Sequence, residues 1–403
     1  MIDEAIINRV IERIESGNTF ILRQIGKTIA QIRNLTPTKA YQLQQMIKYG
    51  ASYQTIIERL SKITNINAQE INEIMEAYAK KDYQFAKKFY DYRGIDYIPY
   101  EKFTLLKNQV DAIGNITNQA YINMVKTSTL GFTLETAKGK FKFLNLKDSY
   151  NYAIDQALLS ITQGKDTFDN QMQNILKQFG NGVKTIDYAS GKTRRLDSAV
   201  RMLLMDGTRQ LHNATQEILG NSFGADGIEI SVHENPAIDH QDLQGRQFTI
   251  DEFNKLQRDE EAIDYKNIPH PSGHRPISQF NCYHTVFYIV LGVNQPQYTN
   301  EQLEAIKTRN NKGFDFDGKH YTMYEGTQLQ RRLETEIRKQ KDTQIIGKEA
   351  NNKLVVMEAQ YKITQLTNKY KRLSQASGLS MKNDRLRVAE YHRTATGYKK
   401  VKL

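Results

Sequence analysis

Hydrophobic residues in the first part of the chain recur at intervals of three and four positions, the spacing of one face of a helix. They form two stripes: Ile7, Ile11 and Ile14, then Leu22, Ile25, Ile29 and Ile32. Thr36-Pro37 and the pair Asn67 and Glu70 have the spacing of helix N-termini. The same spacing predicts further helices over 147–163 and 168–179. We therefore expect a helical N-terminal region over residues 1–179.

The pattern becomes mixed between residues 180 and 325. It predicts a hairpin over 184–196, a helix over about 197–219, a half-buried strand at Ile228–Val232, a second strand within Tyr283–Leu291 and a tight Asp-Gly hairpin at Phe314–Tyr321. Five of the seven prolines lie between Pro236 and Pro296, which indicates irregular loops there. This part is predicted to be a small α+β module.

Helical spacing returns after residue 325. The stripes are Leu333 and Ile337, then Leu354, Met357 and Tyr361, then Ile363, Leu366, Tyr370 and Leu373. We expect a long helical pair with basic outer faces, broken near Gly347 and ended at Gly378, within a basic helical tail over 326–403. The predicted fold class is therefore α+β and predominantly helical.

Tyrosine and phenylalanine are frequent between Tyr78 and Tyr100. Such a segment suits either a helix–helix core or a docking surface, and the core is the favoured interpretation.

The positive charge is concentrated near the C-terminus. The 403 residues carry 56 basic and 45 acidic side chains, yet 18 of the basic and only 8 of the acidic ones lie between Tyr321 and Leu403. The densest basic positions are Arg331, Arg332, Arg338, Lys339, Lys369, Lys371, Arg372, Lys399, Lys400 and Lys402. Such a segment suits contacts with nucleic-acid phosphates, although a solvated basic helix face is the alternative.

Composition excludes several classes of protein. The single cysteine, Cys282, excludes an intrachain disulfide framework and a zinc module built from cysteines alone. The acidic N-terminus does not resemble a secretory signal, and no apolar run approaches the length of a membrane span. We expect an intracellularly made, soluble protein with an anionic partner.

Four residues in the mixed region have side chains that bind zinc. His233 and His240 follow the first predicted strand, and Cys282 and His284 precede the second. One thiolate and three imidazoles suit a tetrahedral structural zinc site. Histidines that only order a loop through hydrogen bonds are the alternative, while His212 on the preceding helix is expected to be a packing or surface residue.

Enzyme chemistry has weaker support. Cys282 and His284 would face the same side of a strand, but no glycine-rich elbow accompanies them for nucleophilic catalysis. Glu229, Glu234, Asp239 and Asp242 could join the histidines in a metal nuclease site, but acidic residues at strand ends are common. The glycines of 220–227 have neither of the usual phosphate-binding spacings. We therefore predict no catalytic residues.

Several ordered motifs resemble a known family. They are Asp187–Thr193, Arg195–Arg201, Asp206–Gln210, Ile230–His233, His240–Phe248, Asn281–His284, Gly292-Val293 and Tyr324–Lys339. Over about residues 180–395 the chain is similar to the tailed-phage minor capsid protein 2 family, which is related to the Mu F-like head morphogenesis proteins. It departs from the family at Glu234–Asp239, in place of a Gly-Ala-Arg-Pro-like stretch, and at Leu243, in place of tryptophan.

The resemblance implies a structural virion protein that acts in head morphogenesis at the portal vertex or the capsid interior. Its implied partners are the phage portal protein, the capsid and scaffold proteins and packaged double-stranded DNA. The departures weaken a catalytic interpretation and leave the four zinc-type residues as the retained set. Two alternatives stay open: a DNA-binding protein acting mainly through its basic tail, and a metal-dependent hydrolase or nuclease at the His/Cys cluster.

Overall fold

The computed structural model describes residues 4–33, 51–65, 68–126, 128–135, 140–162, 165–187, 189–258, 276–278 and 282–392. Most of them are helical, which confirms the predicted predominantly helical α+β class. Among these residues, no helix is long and apolar enough to cross a bilayer.

The first half is built from long helices. They are α1 (Glu4–Arg33), α2 (Ala51–Thr64), α3 (Ala68–Arg93), α4 (Thr104–Met124), α5 (Leu146–Thr162) and α6 (Lys165–Phe179). A hairpin of β1 (Leu130–Glu135) and β2 (Phe141–Asn145) interrupts them, and β1 also pairs with β3 (Lys184–Ile186). With β4 (Thr193–Arg195) these strands form an antiparallel sheet of order β2-β1-β3-β4.

The second sheet positions the candidate metal ligands. It is antiparallel, with β5 (Gly227–Ile230) between β6 (Gln247–Thr249) and β7 (Val286–Ile289). Helix α7 (Leu196–Phe223) precedes β5 and α8 (Ile250–Arg258) follows β6. A small hydrophobic core packs on one face of the sheet. It contains Ile228, Ile230, Phe253, Ile277 and Val286.

The C-terminal part begins with α9 (Asn300–Lys312) and a hairpin of β8 (Phe314–Phe316) and β9 (Lys319–Tyr321). Two long helices follow, α10 (Met323–Glu349) and α11 (Lys353–Ser377). Thr322 and Glu325 form a reciprocal capping box at the start of α10, and Gly378 ends α11 in the left-handed conformation.

One large hydrophobic core joins the two ends of the chain. It includes residues from α1 to α7 and from β7, and it extends to Ile346, Ala350 and Val355 at the junction of α10 and α11. Helix α10 is therefore not an appended tail, because its last turns complete a core that begins with Ile7.

A buried charge network crosses the same interface. The Arg195 guanidinium lies 3.2 Å from Asp197 and 2.8 Å from Asp342, and Arg338 lies 3.1 Å from the other oxygen of Asp197. Burial by itself raises the pKa of Asp197, but the two guanidinium groups hold it well below its usual range. The network thus ties β4 and α7 to α10.

Most predicted elements are confirmed. Both N-terminal stripes lie on α1, the hairpins at 184–196 and 314–321 are present, and the two predicted strands correspond to β5 and β7. Buried Tyr83, Phe89 and Tyr90 assign much of the aromatic segment to the core, as favoured. Thr36-Pro37 and Asn67 lie outside the described residues.

Three details of the prediction were wrong. Strand β5 is buried along its length, because β6 and β7 flank it and a core covers it. The helix break falls at 350–352, while Gly347 stays inside α10 close to Val355. Leu354, Met357 and Tyr361 are exposed at 43%, 42% and 51%, because α11 instead buries Val355, Ala359 and Ile363.

Candidate functional site

The candidate metal ligands come together at one end of the β6-β5-β7 sheet. His240 ends a short 3-10 helix, Ile238–His240, in the connection between β5 and β6. Cys282 and His284 lie just before β7, which pairs directly with β5. Gly245 has a φ of +70° and its N–H donates to the Ile230 carbonyl, so the chain turns back after His240 to form β6.

Three of the four predicted ligands have converging donor atoms. Cys282 Sγ lies 3.7 Å from Nδ1 of His240 and 3.6 Å from Nδ1 of His284. The three donor atoms all lie within 4.8 Å of one another. Both imidazoles are only 3% exposed, so water has little access to the nitrogens that face the sulfur.

The imidazole of His284 is oriented by Gln244. Nε2 of His284 lies 3.2 Å from Oε1 of Gln244, and the same oxygen accepts the His233 N–H over 2.9 Å. An amide oxygen only accepts hydrogen bonds, so Nε2 carries the proton and Nδ1 presents a lone pair to the sulfur.

Two further residues complete the surroundings of the cluster. Oδ2 of Asp239 lies 3.7 Å from Nε2 of His240, and the Ser278 N–H donates to the Cys282 sulfur over 3.4 Å. The sequence patterns did not assign Gln244 or Ser278 to the cluster, and they indicated Asp239 only as one of four carboxylates that could join the histidines in a metal nuclease site. Gln244 stood in one of the family-like motifs, which was the only sequence signal for its position.

His233 lies beside this cluster and outside the group of three converging donors. Its ring centre is 4.4 Å from that of His284, edge to face. Its Nε2 is buried and has no hydrogen-bond partner among the described residues. Burial lowers the pKa of His233, although a hydrogen bond from its ring to the Tyr283 backbone carbonyl acts in the opposite direction.

Glu229, Asp242 and His212 have partners outside the cluster. Glu229 accepts hydrogen bonds from Gln247 and Asn294, and Asp242 pairs with Lys307 over 2.6 Å. His212 is buried between Asp82 and the Val286 carbonyl, which agrees with a packing role. Within the described part of the chain, His240, Cys282 and His284 form the one group with metal-ligand geometry.

The basic residues of the C-terminal part differ in their surroundings. Helix α10 has six basic and five acidic residues, whereas α11 has five basic and one acidic. The charge surplus therefore lies on α11 and beyond it. Lys399, Lys400 and Lys402 lie outside the described residues.

Arg338 is the exception among the predicted nucleic-acid contacts. It is 8% exposed, it pairs with Asp197, and it donates to the Arg385 carbonyl over 2.6 Å. A guanidinium held in this way is not accessible to a phosphate, so Arg338 is excluded from the candidate nucleic-acid surface.

The remaining predicted contacts are at least partly accessible. Arg332 and Lys371 are exposed, Arg331 lies over the Tyr283 ring, and Lys339 pairs with Glu336 over 2.6 Å. Lys369 and Arg372 lie 2.9 and 3.2 Å from the two carboxylate oxygens of Asp317, next to the Phe316 ring. We name Arg332, Lys369, Lys371 and Arg372 the basic helix surface.

Comparison with known proteins identifies a family. No curated protein and no solved structure matches the chain. A family model described as phage minor capsid protein 2 matches residues 4–373, which extends the sequence resemblance through the helical N-terminal region. The match covers far more than half of the 403 residues. The chain therefore belongs to the phage minor capsid protein 2 family, a family of phage structural proteins.

Proposed function

We propose that this protein is a minor component of a tailed-phage head that acts in head morphogenesis at the portal vertex or the capsid interior, and that its C-terminal part contacts packaged DNA. Membership of the family supports the proposed role in the phage head. The basic helix surface on α10 and α11 supports the proposed DNA contact, because its side chains are accessible while the rest of the chain is nearly neutral.

The helical N-terminal part is proposed to dock on the portal or on capsid and scaffold proteins. Its exposed apolar side chains support this, because large apolar side chains grouped in one connection are typical of a surface that contacts another protein. The connection after α3 exposes Ile95, Tyr97 and Ile98, and α3 exposes Tyr92 next to it. The proposed role is structural, and no catalytic step is assigned to any residue.

Head association is tested by co-expressing the chain with the portal, scaffold and major capsid proteins of the same phage. Purified heads should contain the chain, and a variant with Tyr92→Ser and Ile98→Ser should be depleted from them. Complete absence of the wild-type chain from heads that contain the portal would overturn the proposal. Leu105→Ser, at another exposed apolar position, serves as the control.

DNA contact is best tested with point variants. Removing everything after Tyr321 would also remove Ile346 and Val355 from the large core, so a loss of binding would have two explanations. Arg332→Glu combined with Lys371→Glu should weaken binding of a DNA duplex. The plot of log K against log salt should become less steep, by about 0.9 for each lost phosphate contact.

Lys102→Glu is the matched control, because it reverses one exposed lysine in the N-terminal half. It should leave duplex affinity and the salt slope close to those of the wild type. Equal affinity of the wild type and the doubly reversed variant at low salt would contradict DNA contact through the basic helix surface.

A further inference from the structure

In the His240–Cys282–His284 cluster, two ring nitrogens face one sulfur atom at 3.7 and 3.6 Å. The lone pair of His284 Nδ1 points to the sulfur, since its Nε2 donates to Gln244. Nδ1 of His240 faces the same sulfur at 3.7 Å, and Ser278 donates its N–H to it. A Zn²⁺ ion bound by the Cys282 thiolate would accept the lone pairs of both Nδ1 atoms when each ring carries its proton on Nε2.

The distances also fit one particular coordination. With Zn–S of about 2.3 Å and Zn–N of about 2.05 Å, the sulfur and nitrogen ligands of a zinc tetrahedron lie about 3.6 Å apart. The observed Sγ to Nδ1 separations are 3.6 and 3.7 Å. The two sulfur–nitrogen separations therefore match those of a zinc tetrahedron.

The surroundings resemble those of metal-bound imidazoles. Histidine ligands usually have the second ring nitrogen next to a carbonyl or a carboxylate, which orients the ring and raises its basicity. Here the amide oxygen of Gln244 has that position for His284, and the carboxylate of Asp239 has it for His240. An N–H donated to the sulfur, as from Ser278, further stabilises a thiolate.

We propose that Cys282, His240 and His284 bind a structural Zn²⁺ ion that joins the β5–β6 connection to the start of β7. These three protein donors would occupy three of the four ligand positions of the ion. The ion would stabilise a sheet whose own core is small. This proposal is independent of the portal and DNA contacts.

The first test is the metal content of the purified full-length chain. We expect about one equivalent of zinc per wild-type chain, and less than about 0.1 equivalent in Cys282→Ser and His284→Gln. His320→Gln is the matched control, since this exposed histidine pairs with Asp315 outside the cluster. A wild-type chain without zinc, or full retention of zinc in both cluster variants, would overturn the proposal.

A second measurement does not depend on the variants folding. Cobalt(II) is added to the wild-type chain after chelation of its zinc. Because Cys282 is the sole cysteine, a sulfur-to-cobalt charge-transfer band identifies this site without any substitution. We expect that band, intense visible bands of tetrahedral cobalt and saturation near one equivalent. Absence of the charge-transfer band at stoichiometric cobalt would overturn the proposal.

Discussion

Arg195 donates a hydrogen bond to Asp342 over 2.8 Å, although the two residues are 147 positions apart in the chain. The Asp342 side chain is fully buried, and the arginine also pairs with Asp197. Arg195→Met would leave both carboxylates without this partner in a medium that solvates charge poorly. We expect a loss of about 3–5 kcal/mol in the free energy of unfolding, measured by urea titration.

The neighbouring Arg194 provides the control for this prediction. It is exposed, and Arg194→Met should change the free energy of unfolding by no more than about 0.5 kcal/mol. Similar losses for the two variants would show that the buried network does not join β4 to α10 energetically.

Glu15 should make stability depend on pH. Burial, followed by the nearby Asp197, raises its pKa from 4.5 to about 8. The folded chain therefore holds a proton that the unfolded chain releases above pH 4.5. This contribution to stability is fully present below pH 4.5 and is lost as the pH rises through about 8. The difference in pKa corresponds to about 5 kcal/mol as an upper bound.

Replacement of this carboxyl by an amide tests the prediction. The free energy of unfolding of Glu15→Gln, minus that of the wild type, should increase between pH 5 and pH 9. Glu12→Gln removes an exposed carboxylate from the same helix and is the control. A stability difference between Glu15→Gln and the wild type that does not vary with pH would contradict the assignment.

Gln244 should affect metal affinity without binding the metal. Gln244→Leu removes the oxygen that accepts the hydrogen bond of His284 Nε2. Loss of such an outer partner weakens metal binding by about 10–100-fold, because the ligand ring is no longer oriented. Competition with a zinc-binding dye measures the change. Gln330→Leu is the control, because this glutamine also bonds a backbone carbonyl, that of Ser380, which is not part of the cluster. Equal zinc affinities for both variants and the wild type would refute the role of Gln244.

Asp317 should weaken the interaction of α11 with DNA. Its carboxylate lies between Lys369 and Arg372 and offsets part of their charge. Asp317→Asn keeps the shape of the side chain and tolerates the φ of +48° at this turn. Duplex affinity should increase and its salt dependence should become steeper. Asp315→Asn on the same hairpin is the control; a decrease in affinity for Asp317→Asn would contradict DNA binding at this surface.

The candidate zinc site could be predicted only in part. The spacing of Cys282 and His284 before a strand indicated two ligands, and His240 was included as a residue near the end of the adjoining strand. Gln244 and Ser278 had no such signal, because hydrogen bonds around a ligand depend on how loops fold back. Asp239 was indicated only as one of four carboxylates near the histidines. The separate placement of His233 is likewise a property of the folded loop.

The C-terminal part shows the same division between local and tertiary information. Helical spacing predicted α10 and α11, because a helix is specified by residues three and four positions apart. It could not tell that Arg338 is buried, or that Leu354, Met357 and Tyr361 face away from the core. Those outcomes depend on which neighbours cover each face.

By itself, then, the sequence determined the helical class, most helices and strands, the family and the place where the charge collects. Each of these follows from short-range periodicity, from composition or from ordered motifs. The tertiary structure alone decided that α10 completes the core begun by α1, and that Arg195, Asp197, Arg338 and Asp342 form one network. It also decided which candidate ligands converge. The physical reason is that burial and charge pairing are set by contacts between residues far apart in the chain, and these contacts leave no periodic signal in it.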